Sequence, residues 1–136
     1  MKKVLLDTNV ILDAMTARTN NQAPARILEL AGEEAFEACV TANSLTDILY
    51  VTQRHYSQAR AQELLPYLLS LCTIVSVTDK DCYTAASWDW NDFEDALLCA
   101  SAARENVDLI ITSDQDFIAQ NAPITAMTPQ DFLSFS

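Results

Sequence analysis

The sequence predicts an α/β fold: a three-layer α/β/α sandwich in which helices cover both faces of a mostly parallel sheet. Short apolar segments alternate with helical patterns along the whole chain, and this alternation is typical of parallel sheets. Half of the 136 residues are hydrophobic, which is enough to build a buried core. Neither a repeat nor a linker divides the pattern, so we expect a single domain over residues 1–136.

Five segments have the composition of strands. The first, KVLLD, is an apolar run that ends in an acid, and the third, TIVSV, is rich in β-branched residues. The predicted strands span residues 3–7, 36–41, 73–77, 107–112 and 124–127.

Seven segments have helical patterns. The second of them begins at Pro24 and stops at Gly32, which places proline near the start and glycine at the end. Pro66 predicts a bend or an interruption in the fourth, and the last has Thr128 as its cap and Pro129 at its first position. The predicted helices span residues 8–17, 24–32, 43–56, 57–72, 79–88, 91–106 and 128–135, with a loop at 18–22.

The charge balance argues against generic binding to nucleic-acid phosphates. Asp and Glu total 19 against 8 Lys and Arg, a formal net charge of −11, whereas affinity for a phosphate backbone comes mainly from basic residues. A nucleic-acid substrate would therefore need a cation or a local basic patch to mediate the contact. The acid excess suits a divalent cation or a basic protein partner.

Other classes of site lack their residues. A single glycine, Gly32, argues against glycine-rich phosphate loops. Four cysteines without a C-x-x-C pair and a single histidine, His55, do not provide zinc-ligand spacing. No apolar run approaches the roughly 20 residues of a membrane span, and no signal peptide is evident. We expect a cytoplasmic protein with reduced cysteines and no membrane association.

Several acids lie where predicted strands end or the following helices begin. Ligands of open α/β sheets bind outside the carboxyl ends of the strands, so acids from these junctions can converge on one edge. Carboxylates a few Å apart cannot all stay ionised unless a cation neutralises them, and Mg²⁺ and Mn²⁺ prefer carboxylate oxygens. Such ions can activate water for phosphodiester cleavage. The acids concerned are Asp7, Asp47, Asp92, Asp95, Asp114 and Asp116.

These acids also have structural interpretations. The segments SLTD (44–47) and NDFE (91–94) are capping-box patterns with Ser44 and Asn91 as caps. Acids in a first helical turn are moreover stabilised by the helix dipole. Asp7 is harder to explain in this way, because an acid that follows a buried strand is costly unless it is paired or liganded. The set of acids, more than any single one, indicates a site.

The remaining polar and aromatic residues have simpler interpretations. We expect His55 at the surface, and Trp88 and Trp90 in packing contacts. Four arginines are interpreted as surface charges, of which the first two could also contact a phosphate: Arg18, Arg54, Arg60 and Arg104.

Four motifs resemble the signatures of a PIN domain and occur in that family's order. They are LLDTNVILD, TANSLTDILYV, DFEDALLCASA and LIITSDQDF, and they cover nearly the whole chain. PIN domains are compact α/β/α nucleases, and many cut RNA with Mg²⁺ or Mn²⁺. Bacterial members of this length are often VapC-type toxins that a VapB-type antitoxin holds inactive. The resemblance therefore implies an RNA substrate, a divalent metal, a homodimer and an antitoxin with a basic tail.

The resemblance also implies roles for individual residues. Carried over by position, it gives four catalytic acids: Asp7, Asp47, Asp95 and Asp114. It gives a metal-binding set that keeps three of these and adds two neighbours: Asp7, Asp92, Asp95, Asp114 and Asp116. The supporting side chains are Thr8, Asn9 and Thr112.

Two positions depart from the family's pattern. Asp47 stands where relatives usually have Glu and is one methylene shorter, so it would reach a metal through water. Ser113 stands where Arg is frequent, which removes a phosphate contact.

Three functions remain open from the sequence. The first is a ribonuclease toxin in which a metal-bound water attacks the phosphodiester and leaves a 5′-phosphate and a 3′-hydroxyl, as the resemblance implies. The second is a catalytically weak or inactive PIN-like module that binds RNA or protein, which Asp47 and the negative charge favour. The third is a Mg²⁺-dependent phosphatase or receiver-like protein, which is disfavoured because LLDTN lacks a second Asp two residues after the first.

Overall fold

A five-stranded parallel sheet forms the centre of the molecule, with strand order β3-β2-β1-β4-β5. The structure is a computed structural model that describes residues 1–16 and 21–135. Its strands are β1 (Lys3–Leu6), β2 (Glu37–Thr41), β3 (Thr73–Val75), β4 (Leu109–Ile111) and β5 (Ala126–Met127). The helices in the described part of the chain are α1 (Thr8–Thr16), α2 (Ala23–Gly32), α3 (Ala42–His55), α4 (Gln58–Leu71), α5 (Asp79–Trp88), α6 (Phe93–Arg104), α7 (Gln115–Ile118) and α8 (Pro129–Ser134).

The central strand β1 divides the core into two layers. Because side chains alternate along a strand, Val4 and Leu6 face one layer and Leu5 faces the other. Helices α1 to α4 and α8 pack on the first face, while α5, α6 and α7 cover the second. The predicted α/β/α sandwich with a parallel sheet is therefore confirmed.

The strand register brings the carboxyl ends of β1 and β4 side by side. Leu6 is aligned with Ile111, and the backbone N–H of Asp7 donates to the Ile111 carbonyl at 3.0 Å. The N–H of Thr112 donates in turn to the Met127 carbonyl at 3.0 Å. The residues that follow these strands consequently meet at one edge of the sheet.

Both predicted capping boxes are wrong. Helix α3 is capped by Thr41, whose side chain accepts the Ser44 N–H at 3.1 Å. Helix α6 is capped by Asp92, which accepts the Asp95 N–H at 3.2 Å, and Asn91 lies outside it. Ser, Thr, Asn and Asp cap helices almost equally well, so a local pattern does not select among neighbouring candidates.

Four further features differ in how well the sequence predicted them. Helix α4 runs through Pro66 without interruption, contrary to one of the two alternatives predicted there. The cap of α8 is Thr128 with Pro129 at the start, as predicted. The four-residue helix α7 was not predicted, because a single turn has no periodicity to detect. Residues 18–20 of the predicted loop at 18–22 lie outside the described residues, and Arg18 is one of them.

Several side-chain expectations are confirmed. His55 is exposed, and Trp88 and Trp90 pack against the second core layer. The four cysteines are free thiols, and burial raises the pKa of Cys39 to about 11, which is typical of an inert core thiol. Along residues 1–16 and 21–135, no helix combines the length and the apolar character that crossing a membrane requires.

Arg104 is not an isolated surface charge, because it pairs with a buried acid. Asp81, in α5, is 2% exposed and accepts two hydrogen bonds from the Arg104 Nε at 2.9 and 3.1 Å. The Ser101 hydroxyl and the Thr78 N–H also donate to it, at 3.1 and 2.9 Å. Burial opposes ionisation of Asp81, but these donors hold its pKa below the ordinary value. The network joins α5 to α6.

We expect Asp81→Asn to lower the free energy of unfolding by about 2–4 kcal/mol, because the change leaves Arg104 without its buried partner. Urea denaturation measures the effect. The matched control is Arg26→Ala, which breaks an exposed pair with Glu29 at 2.9 Å and should cost much less, because solvent screens an exposed ion pair. Equal losses in the two variants would show that the buried pair has no special weight.

Candidate functional site

Asp7 stands at the carboxyl end of the central strand and is held by three donors. It is 8% exposed. Its Oδ1 accepts the Thr8 N–H at 2.8 Å. Its Oδ2 accepts the Thr112 hydroxyl at 2.8 Å and the Asn9 amide Nδ2 at 3.2 Å. Burial raises the pKa of Asp7, and these hydrogen bonds offset part of that shift. The orientation of the carboxylate is therefore fixed by two residues of α1 and by Thr112, the residue after β4.

The same contacts bind the loop after β4 to Asp7. The Thr112 hydroxyl accepts the Asp114 N–H at 3.1 Å, and the Asn9 Oδ1 accepts the Ser113 N–H at 3.2 Å. Asp114 caps α7 by accepting the Asp116 N–H at 2.9 Å. The Asp114 charge also raises the pKa of Asp7, which shows that the two carboxyls lie within electrostatic reach.

Helix α6 supplies the third acid. Asp95 is in the first turn, and it lines one cavity together with Asp114. Burial, followed by the charges of Asp92, Asp7 and Asp114, raises the pKa of Asp95 to about 7. Such a shift is typical of a carboxylate crowded by like charges and lacking a compensating cation.

Glu94 and Asp47 form a pair of adjoining carboxyls beside these acids. Their side chains, from α6 and α3, lie next to each other. Burial, then the contact with Asp47, and then the charges of Asp47, Asp92 and Asp7 raise the pKa of Glu94. Glu94 therefore does not fold back onto its own helix, as a capping role would require.

Two cavities open on these acids and share Asp95. A narrow one of about 20 Å³ has a lining that includes three acids, Asp7, Glu94 and Asp95, and three uncharged polar residues, Thr41, Asn43 and Ser44. A wider one of about 290 Å³ is lined mainly by Trp90, Asp92, Asp95, Asp114, Asp116 and Gln120. Asp47 lines neither cavity.

The structure thus brings together most of the residues predicted for the site. Asp7, Asp95 and Asp114 converge, Asp92 and Asp116 lie at the rim of the wider cavity, and Thr112 and Asn9 hold Asp7. Thr8 contributes its backbone N–H. Asp47 lies outside both cavities and adjoins Glu94. Sequence analysis assigned Glu94 to capping, although its position next to Asp95 was a signal that it could reach the same site.

The chemistry of the cluster fits a hard divalent cation. Its donors are carboxylate oxygens, which Mg²⁺ and Mn²⁺ prefer. Among the described residues, no Lys or Arg lies within ion-pair distance of these acids, and neither cavity has a basic residue in its lining. Within residues 1–16 and 21–135, no three acids, histidines or cysteines already stand in metal-binding geometry. Carboxylates that repel each other would therefore have to close around an ion.

The fold and the acids together define a class of protein: a parallel α/β/α sandwich with an acidic cluster at the carboxyl edge of its sheet. The sequence pattern of the PIN domain matches residues 3–116. The chain therefore belongs to the PIN-domain family. None of the curated proteins compared with the chain matches it.

Solved structures with the same fold include the following three proteins. VapBC2 from Rickettsia felis, bound to a promoter DNA fragment, is 17% identical with a TM-score of 0.70, over 92% of this chain and 96% of that one. VapC20 from Mycobacterium tuberculosis, described as a toxin that cleaves the sarcin-ricin loop, is 17% identical with a TM-score of 0.70, over 88% and 95%. FitAcB from Neisseria gonorrhoeae is 17% identical with a TM-score of 0.71, over 93% and 98%. At this identity the likeness shows the fold.

The raised pKa of Asp95 predicts a pH-dependent stability difference in metal-free protein. The carboxyl titrates near 7 when folded, against an ordinary value of 3.8. The folded state therefore binds more protons between these values, and stability falls as pH rises through that window. Asp95→Asn removes this penalty. We expect the variant to exceed wild type by about 1–2 kcal/mol at pH 8, after allowance for solvent screening of a partly exposed group.

The advantage of Asp95→Asn should shrink as pH is lowered toward 4. Thermal or urea unfolding in the presence of a chelator, at several pH values, measures it. Asp89→Asn, at an exposed position outside the cluster, should show no such trend. A constant difference between wild type and Asp95→Asn would contradict the raised pKa.

Proposed function

We propose that the protein is a divalent-metal-dependent endoribonuclease and the toxin of a toxin–antitoxin pair. The observation that carries the proposal is the convergence of Asp7, Asp95 and Asp114 at one sheet edge without a basic partner among the described residues. Membership of the PIN-domain family supports the nuclease assignment. The convergence of the acids and the family membership both support assignment as a phosphodiester hydrolase.

The residues that would hold the ion are the three central acids. Asp7 directly follows β1, Asp95 is in α6 and Asp114 is in the loop after β4. Asp92 and Asp116 stand at the rim, where they could act through water. Mg²⁺ or Mn²⁺, when bound, supplies positive charge that neutralises the scissile phosphate and activates water for attack. The same charge removes the repulsion that raises the pKa of Asp95.

The other polar side chains of the site keep these acids in place. The Thr112 hydroxyl donates to Asp7 and accepts from the Asp114 N–H, so one side chain fixes the relation between two acids. Asn9 does the same between Asp7 and the Ser113 backbone. Hydrogen-bonding partners of this kind orient metal ligands in many sites.

The wider cavity offers room for a nucleotide segment beside the acids. Its volume is about 290 Å³, and Trp90 forms one wall. RNA phosphates would be repelled by the acids in the absence of a cation, so the metal has a role in binding as well as in chemistry. This dependence fits the net charge of −11.

The toxin assignment and its partner come from the structural relatives. The solved complexes with this fold include a toxin–antitoxin complex from Klebsiella pneumoniae and VapBC2 from Rickettsia felis. We propose that an antitoxin with a basic tail places a cationic side chain among the acids, in the position that the metal would neutralise. A homodimer and a cytoplasmic location are further parts of this proposal.

The alternative is a catalytically weak or inactive PIN-like module that binds RNA or protein. It is favoured by the position of Asp47 outside both cavities and by Ser113, which provides no basic side chain for a phosphate. The two functions differ in whether the protein cuts RNA when Mn²⁺ is present.

We expect the wild-type chain to cleave RNA with Mn²⁺ and to stop when a chelator is added. Asp7→Asn and Asp95→Asn should each lower the cleavage rate at least about 100-fold, because each removes a carboxylate that would bind the ion directly. The rate is measured by gel analysis of a labelled RNA.

The matched control is Asp89→Asn. Asp89 belongs to the same acidic segment, is exposed, lines neither cavity and has a φ of 55°, which Asn tolerates well. Its rate should equal that of wild type. Equal cleavage by Asp7→Asn and wild type would refute the site, and Mn²⁺ binding without cleavage would favour the module.

Thr112→Val tests the support of Asp7. The substitution keeps the shape of the side chain but removes the hydroxyl that joins Asp7 to Asp114. We expect Mn²⁺ affinity to fall about 10- to 100-fold, as for other groups that orient metal ligands. Calorimetric titration measures the affinity. The control is Thr125→Val, at an exposed position just before β5, which should leave the affinity unchanged.

A further inference from the structure

We propose that Glu94 is an acid of the narrow cavity that acts beside Asp7, and that Asp47 is a positioning residue which acts by holding Glu94. The inference rests on the proposed metal-dependent function, and it assigns to a different residue the place that position in the sequence gave to Asp47. The observation that carries it is that Glu94 lines the narrow cavity together with Asp7 and Asp95, whereas Asp47 does not line it. The Asp47 carboxyl adjoins that of Glu94.

The location of Asp47 along α3 explains why it does not reach the cavity. Helix α3 begins at Ala42, directly after β2, and Asp47 is in its second turn. A helix rises about 1.5 Å per residue, so Asp47 lies on the order of 8 Å beyond the end of β2. The residues of α3 that do line the narrow cavity are in its first turn: Asn43 and Ser44.

Glu94 belongs to α6 and does line the narrow cavity. It is in the first turn of α6, next to Asp95, and its side chain is one methylene longer than that of Asp47. It contacts Asp47 at its tip and lies within the electrostatic reach of Asp7 and Asp92. Glu94 therefore belongs to the acidic lining of the narrow cavity, and Asp47 contacts Glu94 from outside the cavity.

The contact has a consequence for how the two residues contribute to metal affinity. If Asp47 acts only through Glu94, its removal has no further effect once the Glu94 carboxylate is gone. If Asp47 contacted the ion itself, Asp47→Asn would weaken binding further even when Glu94 is already replaced. A double-mutant cycle between the two positions distinguishes these arrangements.

The experiment is calorimetric titration of the full chain with Mn²⁺ alone, for wild type, Glu94→Gln, Asp47→Asn and the double variant. We expect Glu94→Gln to weaken binding about 10- to 100-fold and Asp47→Asn to weaken it less. The double variant should match Glu94→Gln within about threefold. Glu63→Gln, at an exposed position of α4, is the matched control and should bind as wild type does.

A second readout uses Tb³⁺, which oxygen ligands bind in a similar way. Trp90 lines the wider cavity beside Asp95 and Asp114, so excitation of tryptophan should sensitise luminescence from an ion held there. Glu94→Gln should shift the titration midpoint to higher Tb³⁺. Glu94→Asp keeps the charge but shortens the side chain, so we expect it to lose affinity as well. Unfolding curves of each variant establish that it is folded.

The outcomes separate this inference from the proposed function. If wild type and Asp7→Asn both fail to bind Mn²⁺, the metal-dependent function is wrong. If Asp7→Asn loses binding while Glu94→Gln retains it, the function stands and the role of Glu94 is refuted. Additive losses in the double variant, or a greater loss in Asp47→Asn than in Glu94→Gln, would show that Asp47 contacts the ion itself.

Discussion

The site depends on a buried carboxylate at the carboxyl end of the central strand. Asp7 has three donors but no cationic partner among the described residues, and its neighbours Asp114 and Asp95 add like charge. Such an arrangement is unfavourable in isolation, so the rest of the fold must hold it in place. The two core layers on either side of β1 do so, because the residues before Asp7 are completely buried.

Two rigid supports determine where the acids meet. One is the hydrogen-bonded set formed by Asp7, Thr112 and Asn9, which ties the loop after β4 to β1. The other is α6, whose buried run packs against α5 and whose far end is anchored by the Asp81–Arg104 pair. Asp95 and Glu94 stand at the opposite end of that helix. The position of the acids is therefore coupled to a network that lies well away from them.

If the protein acts on RNA as proposed, its net negative charge repels the phosphates of the substrate. The proposed metal site would offset this repulsion locally. The ion would convert the most negative part of the surface into one that a phosphate can approach. An antitoxin with a basic tail would exploit the same charge when the ion is absent. The RNA substrate, the metal and the antitoxin would then compete for one cluster of carboxylates. Two acids of that cluster, Glu94 and Asp95, line the narrow cavity.

The sequence by itself determined the features that depend on neighbouring residues. Alternating apolar and helical segments predicted the parallel sandwich, and Asp7, Asp95 and Asp114 were found because each adjoins a strand end or a helix start. Only the tertiary structure decided which caps are used, because Thr41 and Asp92 have neighbours that cap equally well. It also decided the pairing of Arg104 with Asp81 and the contact of Glu94 with Asp47. Those partners are separated by 23 and 47 residues in sequence, and no local periodicity records a contact between two different helices.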